Sequence, residues 1–233
     1  MVSMQSLPQD YRAVVFGSTG GIGSALTELL KADERCVEVI GFSSSTSPAI
    51  DLADEASIAN AAESISDEVQ LLIDATGFLS DETTKPEKSL RAVDAENLSR
   101  LYLLNAIGPA LLIKHFSKLM PRDERAVFAS LSARVGSIGD NRLGGWYAYR
   151  ASKAALNMLL KCSSIEIART KPESIFAALH PGTVVTALSE PFAGNRERLA
   201  PQQSASMMLK VLDGLGPEDT GSFWDFRGER IEW

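Results

Sequence analysis

Tyr149 and Lys153 stand four residues apart in Tyr-Arg-Ala-Ser-Lys, on a stretch with the apolar spacing of a long amphipathic helix. Positions i and i+4 share a helix face, so the phenol and the ammonium can point into one space. An ammonium beside a phenol favours the phenolate. That predicts a tyrosine pKa below its ordinary value of about 10, closer to the working range of an acid/base catalyst. The same pair also occurs by chance, as an amphipathic aromatic at a helix start and a solvated charge. Its weight comes from upstream, where Gly17-Ser18-Thr19-Gly20-Gly21-Ile22-Gly23 follows the apolar run Ala13-Val14-Val15-Phe16. A strand that ends in glycines and feeds a helix is a nucleotide-binding geometry: amides at the helix start face a pyrophosphate, and missing side chains let it approach. The spacing is Gly-x-x-x-Gly-x-Gly rather than Gly-x-Gly-x-x-Gly, and taken alone the string also reads as a glycine-rich turn with a helix cap. Together the two motifs predict hydride transfer.

Positioning these groups requires a regular alternation of elements. Ala13–Phe16, Val37–Phe42, Gln70–Asp74, Ala126–Leu131 and Ser174–Leu179 read as five strands. Helical spacing covers Ile22–Leu30, Ile58–Ile65, Glu96–Met120 and Trp146–Arg169 between them. This order predicts an α/β fold of Rossmann type, a doubly wound and mainly parallel sheet with helices on both faces in three layers. With 233 residues and neither repeat nor linker, residues 1–233 are expected to form a single domain. Pro191, Gly194 and Arg196-Glu197-Arg198 suggest a short substrate lid near 187–200, with an ordinary surface loop as the alternative.

The bulk numbers narrow the function classes. A hydrophobic fraction of 45% beside 23% charged residues is that of a soluble globular protein with a substantial core. The net charge of -7 leaves no basic stripe for nucleic acid and no polybasic membrane patch. No apolar run approaches the roughly 20 residues of a membrane helix. Met1–Tyr11 lacks the basic and apolar segments of a secretory signal, so a cytoplasmic protein is expected. Cys36 and Cys162 lie far apart and read as reduced thiols; with only His115 and His180 besides, no metal site is expected.

An acidic residue about 20 positions past the glycines would grip the ribose 2′-hydroxyl of NAD. Phe42-Ser43-Ser44-Ser45 occupies that place. Serines can donate to a 2′-phosphate that a carboxylate would repel, so NADP(H) is preferred and NAD(H) remains possible. A solvated serine loop is the competing reading.

At this point the chain resembles the short-chain dehydrogenase/reductase superfamily, and within it the sniffer-like and C-signal-like carbonyl reductases. The likeness runs from the glycine turn through Asp51-Leu52, Ala75-Thr76-Gly77, Asn105 and Gly136-Ser137-Ile138-Gly139 to Tyr149-x-x-x-Lys153 and His180-Pro181-Gly182. It implies that Gly17, Ser18, Thr19, Gly21, Ile22 and Gly23 cradle the dinucleotide, with Ser43 near the ribose. Asp51 would bond the adenine amino group, with Leu52 near the ring, although Asp51 also suits a helix cap or a loop charge. Ala75, Thr76 and Gly77 would pass the ribose, with Asp74 standing where the family usually has Asn. Pro181, Gly182, Thr183 and Thr186 would cover the nicotinamide and bond its carboxamide.

The chemistry implied is interconversion of an aldehyde or ketone with an alcohol. Tyr149 would donate the proton in reduction, and Lys153 would favour the phenolate and bond the nicotinamide ribose. A hydroxyl at the carboxyl end of the fourth strand should hold the reacting oxygen. Ser132 is the choice, just past the strand, and Ser130 is the alternative. Asn105, a poor helix former inside a helix, would interrupt the helix hydrogen bonds and hold a water beside the lysine; Gly108-Pro109 offers a simple bend instead. A small-molecule partner and a homo-oligomer are implied, the latter through helix surfaces such as Ala151, Ala154 and Ala155. Two other classes compete. One is a non-catalytic NAD(P)-binding regulator on the same scaffold. The other is a sugar-nucleotide epimerase or dehydratase, which needs more chain after Thr186 than is present.

Overall fold

The computed structural model describes residues 2–192 and 198–233. The part of the expected lid at 193–197 lies outside the described residues. Six parallel strands form one sheet in the order β2-β1-β3-β4-β5-β6. They are β1 Tyr11–Phe16, β2 Cys36–Phe42, β3 Leu71–Asp74, β4 Ala126–Leu131, β5 Ser174–His180 and β6 Ser222–Asp225. β3 and β4 are buried along their whole lengths, as expected of strands covered on both faces. The chain runs from β1 to β2 in one direction and then returns past β1 to β3. That reversal opens a crevice at the carboxyl ends of β1 and β3, where ligands of open α/β sheets sit.

Two apolar cores lie on opposite faces of the sheet. One packs α1 (Gly21–Lys31) and α6 (Pro201–Gly214) through Leu26, Leu30, Met208 and Leu212. The other packs α2 (Glu55–Glu63) and α4 (Gly108–Phe116) through Ile58, Leu112 and Phe116. Phe116 meets Phe16 of β1 edge-to-face, with 4.6 Å between ring centroids.

The long helix expected over Glu96–Met120 is divided. α3 (Ala95–Tyr102) passes into a wide π turn at Leu103–Ile107 before α4 begins at Gly108-Pro109. α5 spans Tyr147–Ile167, close to expectation. It starts from Trp146, whose φ of 52° is uncommon for a bulky residue. Buried Glu87 holds that start, its carbonyl accepting from Trp146 N (2.6 Å) and its Oε2 from Ala148 N (3.2 Å). α6 and β6 were not expected from the sequence. β6 has four residues, too short for a period, and borrows its pairing from β5. Behind β6, Trp233 stacks on Phe223 and its carbonyl accepts from Gly139 N (3.0 Å), bracing the loop before α5.

Candidate active site

β1 delivers the glycine turn to the crevice. Gly17 takes a φ of +71°, which a side chain would strain, and the amides of Gly17 and Ser18 donate to Phe42 O of β2 (2.7 and 3.1 Å). Gly23 lies beneath the turn, where a Cβ would strike the Gly17 carbonyl. α1 therefore begins with bare amides: its N-cap is Gly20, no side chain caps it, and no acidic residue sits in its first turn. An uncapped helix start carries partial positive charge and free donors, which suits a pyrophosphate.

Two clefts open on this turn. The outer one, about 630 Å³, is lined by Gly17, Thr19, Ser43, Asp51, Leu52 and the Ala75-Thr76-Gly77 strip. The inner one, about 280 Å³, brings Gly21, Ile22 and the same strip against Ser132, Tyr149, Lys153, Pro181 and Thr186. Thr186 lies over the start of α1, so that a Cβ on Gly21 would come within 2.8 Å of its methyl. Their sizes and donors fit a dinucleotide laid across both. Among the described lining residues the outer cleft carries hydroxyls and the Asp51 carboxylate, and no guanidinium or ammonium. Asp51 Oδ1 accepts from Ala53 N (2.9 Å) and Asp54 caps α2. Ser18 and Gly23 do not line either cleft. Ser18 faces Gly41 of β2 instead, and both residues shape the turn rather than its surface.

Tyr149 and Lys153 leave the first turns of α5 on one face and both enter the inner cleft. Their electrostatics differ from the expectation. Burial pushes the Tyr149 phenol up to about 12, and burial pushes Lys153 down to about 8, opposed by the charge of Asp74. Lys153 Nζ donates to the Leu131 carbonyl at the end of β4 (2.9 Å), so the ammonium is held by the sheet. Desolvation of the phenol thus outweighs the lowering expected from the lysine.

Ser132 follows β4, its amide donating to Leu179 O (2.7 Å) and its Oγ to Asn157 Oδ1 (2.7 Å). It lines the cleft; Ser130 lies wholly inside the sheet, and its Oγ has no partner among the described residues. Asn157 was missed by sequence reasoning. It is buried four residues beyond Lys153 on the same helix face, and an asparagine inside a helix was the available signal. Asn105 sits in the π turn, fully buried. Its Oδ1 accepts from Phe78 N (2.8 Å), and its Nδ2 donates to Phe78 O (2.8 Å) and Ser152 Oγ (3.1 Å).

Asp74 is buried at the end of β3, beside Ser130 across the β3–β4 register. Its Oδ1 accepts from Thr76 N (3.0 Å) and Thr76 Oγ1 (2.5 Å), which ties down the turn that passes the inner cleft. Burial raises its carboxyl above the ordinary range, against the pull of those donors and of Lys153.

A third cleft, about 510 Å³, lies on the other side of Tyr149, with Trp146, Gly182, Thr183, Leu188 and Phe192 in its walls. Trp146 meets both Tyr149 (6.1 Å) and Phe192 (5.2 Å) edge-to-face. His180 lines it too; burial drives the ring down to about 4, so it is neutral at physiological pH. No group of three metal-ligating side chains occurs among the described residues. No described helix is long and apolar enough to cross a membrane. The assembly can seat a flat ring against Thr186 and Ile22, a second molecule against Trp146, and a hydroxyl and a phenol between them.

The chain is similar to known proteins in sequence and in fold. The short chain dehydrogenase family model matches residues 12–197. The C-signal protein of Myxococcus xanthus is 36% identical over 149 residues, 62% of this chain and 84% of that protein. A 1-hydroxy-2-glutathionyl-2-methyl-3-butene dehydrogenase of Rhodococcus sp. (strain AD45) is 34% identical over 142 residues, 61% of each chain. The match thus spans about three fifths of that dehydrogenase's length. Among solved structures, the NADPH-bound carbonyl reductase from chicken fatty liver superposes with a TM-score of 0.84 at 26% identity, covering 99% of this chain and 96% of the other. The carbonyl reductase Sniffer of D. melanogaster gives 0.82 at 21% identity, over 97% and 100%, a likeness of fold.

Proposed function

The chain belongs to the short-chain dehydrogenase family, and from that premise we propose that it is an NADP(H)-preferring oxidoreductase that interconverts a carbonyl compound and an alcohol. The observation that carries this reading is the convergence of Ser132, Tyr149 and Lys153 with the uncapped start of α1 in one cleft. When bound, the reduced nicotinamide supplies the hydride. This chain's residues do the rest. On substrate binding the Ser132 hydroxyl turns its one proton from Asn157 Oδ1 to the substrate oxygen, the Tyr149 hydroxyl holds that oxygen too, and Tyr149 donates its proton as negative charge develops there. Lys153 faces the phenol's space from the same helix face, and its charge makes the departing proton less costly. Asn105 stands behind it on the π turn. Gly17, Thr19, Gly21, Ile22 and the Ala75–Gly77 strip carry the dinucleotide, with Asp51 and Leu52 at its adenine end and Pro181, Gly182, Thr183 and Thr186 at its nicotinamide end. Ser43 and its neighbours offer neutral donors to a 2′-phosphate, and the NADPH-bound carbonyl reductase supports that preference.

The decisive test follows NADPH and NADH oxidation over a panel of aldehydes and ketones, with Tyr149→Phe in parallel. The parent should turn over with NADPH preferred, and the variant should fall at least about 100-fold, the scale of a general acid. Equal rates in the two proteins would remove the proposed chemistry. Cofactor binding without turnover would favour a regulator on the same scaffold.

One domain over residues 1–233 is part of this reading, with the described residues 187–192 and 198–200 of the expected lid beside the substrate cleft, as is a cytoplasmic location, which suits the two free cysteines. So is a homo-oligomer. The outer face of α5 leaves Met158 63% and Ile165 51% exposed, beside the small residues Ala151, Ala154 and Ala155 that permit close approach. Sedimentation at micromolar concentration should show a dimer or larger; monomer alone would refute it.

A further inference from the structure

The cleft beyond Tyr149 is cationic in an otherwise acidic chain. Among its described lining residues Arg134, Arg142 and Arg150 stand against one carboxylate, Asp140, whereas the whole chain carries -7. The three guanidiniums have different duties. Arg150 is a staple: its Nε donates to the carbonyls of Gly144 (3.2 Å) and Gly145 (3.0 Å), and a terminal nitrogen donates to Val135 O (3.3 Å). Those bonds fix the 134–145 loop to α5. Arg134 pairs through Nε with Asp140 (2.5 Å), which leaves its two terminal nitrogens for another acceptor.

Arg142 is different. Its one hydrogen bond is from a terminal nitrogen to the Gly139 carbonyl (2.8 Å), and it joins none of the ion pairs among the described residues. Beside it Leu143 is 82% exposed at the rim of the same cleft. A leucine held open next to a guanidinium with no ion pair among the described residues, in a cleft also lined by Trp146, Leu188 and Phe192, is a surface for a molecule that is greasy along its length and anionic at its end. Guanidinium is the side chain best shaped for that anion, because its fork meets a carboxylate with two parallel hydrogen bonds.

We propose that the substrate is a carbonyl compound with an apolar body and a carboxylate remote from the reacting carbonyl, the carboxylate docking on Arg142 with Arg134 beside it. This rests on the carbonyl-reductase reading above and adds the substrate class. The carboxylate takes no part in the chemistry. The carbonyl carbon gains the hydride, its oxygen gains the Tyr149 proton, and the anion stays ionised on the guanidinium.

The test compares acids with their methyl esters at two lengths: para-carboxybenzaldehyde and azelaaldehydic acid, each against its ester, with NADPH at low salt. An anion on an exposed guanidinium should favour the acid about two- to fivefold in kcat/KM for at least one pair. Arg142→Glu should bring that ratio to one or below, and about 0.5 M salt should shrink it. Lys210→Glu, the same charge change on exposed α6 away from this cleft, should leave the ratio as in the parent. An acid-to-ester ratio at or below one in the parent for both pairs overturns the proposal. So does a ratio that survives Arg142→Glu, or one that falls equally in Lys210→Glu, which would mark a general charge effect. If the parent reduces none of the four compounds nor any member of the wider panel, the failure belongs to the oxidoreductase reading instead.

Discussion

Lys153 is a catalytic candidate whose charge is carried into the interior by the fold of α5 against β4. It is 2% exposed, and its ammonium is held by one carbonyl and the field of Asp74. Folding lowers its pKa from 10.5 to about 8. Between those values the unfolded chain binds more protons than the native one, so this group makes stability rise with pH across the window. The cost is full below about 8 and vanishes above the unfolded value. Lys153→Met removes it, and the variant should be more stable than the parent near neutrality by on the order of 2 kcal/mol, an advantage that shrinks towards about pH 10. Urea unfolding of both proteins across that range checks this; a constant difference would show that the lysine does not titrate as its burial implies. Tyr149 runs the other way, its phenol kept neutral by burial to about 12. Taking the difference between two proteins that both carry Tyr149 cancels its contribution.

At the scale of elements, the site is a set of couplings between the carboxyl end of β4 and the face of α5. Lys153 reaches back to Leu131, and Asn157 one turn further on holds Ser132. The π turn does the same for α3 and α4. Widening the helix by one residue turns Asn105 inward, where it pairs with Phe78 on both its amide groups and with Ser152 on α5. Asn157 is a positioning residue, and its variant Asn157→Leu should lower kcat about tenfold by freeing the Ser132 hydroxyl to rotate. A double-mutant cycle separates this from general damage. If Asn157 acts through Ser132, adding Asn157→Leu to Ser132→Ala should cost nothing further in kcat. Additive losses would mean that Asn157 serves the helix and not the serine.

For the whole molecule, sequence reading recovers what local pattern encodes. β4 appears at Ala126–Leu131 as expected because its apolar run is sharply bounded, and the glycine turn, Tyr149 and Lys153 are recognisable by type and spacing. β6 and α6 escape because Ser222-Phe-Trp-Asp has no period and Pro201-Gln-Gln-Ser opens with polar residues. The apolar spacing over Glu96–Met120 does not show the π turn, since an added residue leaves the spacing on either side intact; only the family resemblance at Asn105 points to a break in the helix hydrogen bonds there. The inverted expectation for the phenol has one cause: spacing shows which groups share a face, but the depth of that face is a property of the folded chain. The Asn157–Ser132 and Asp74–Ser130 neighbourhoods likewise join positions that only the sheet brings together.

The brace between Trp233 and Gly139 has a practical side. The Trp233 backbone grips the loop that continues to Arg142, while its indole is stacked on Phe223 of β6, at one edge of the sheet. Glu232 and Trp233 both press on Gly139, and Trp233 lines a small cleft with Gly136 and Ile138 that is separate from the one Arg142 lines, so the pair is a remote handle on the arginine loop. Libraries seeking altered preference should therefore randomise Glu232 and Trp233 together with the arginine loop.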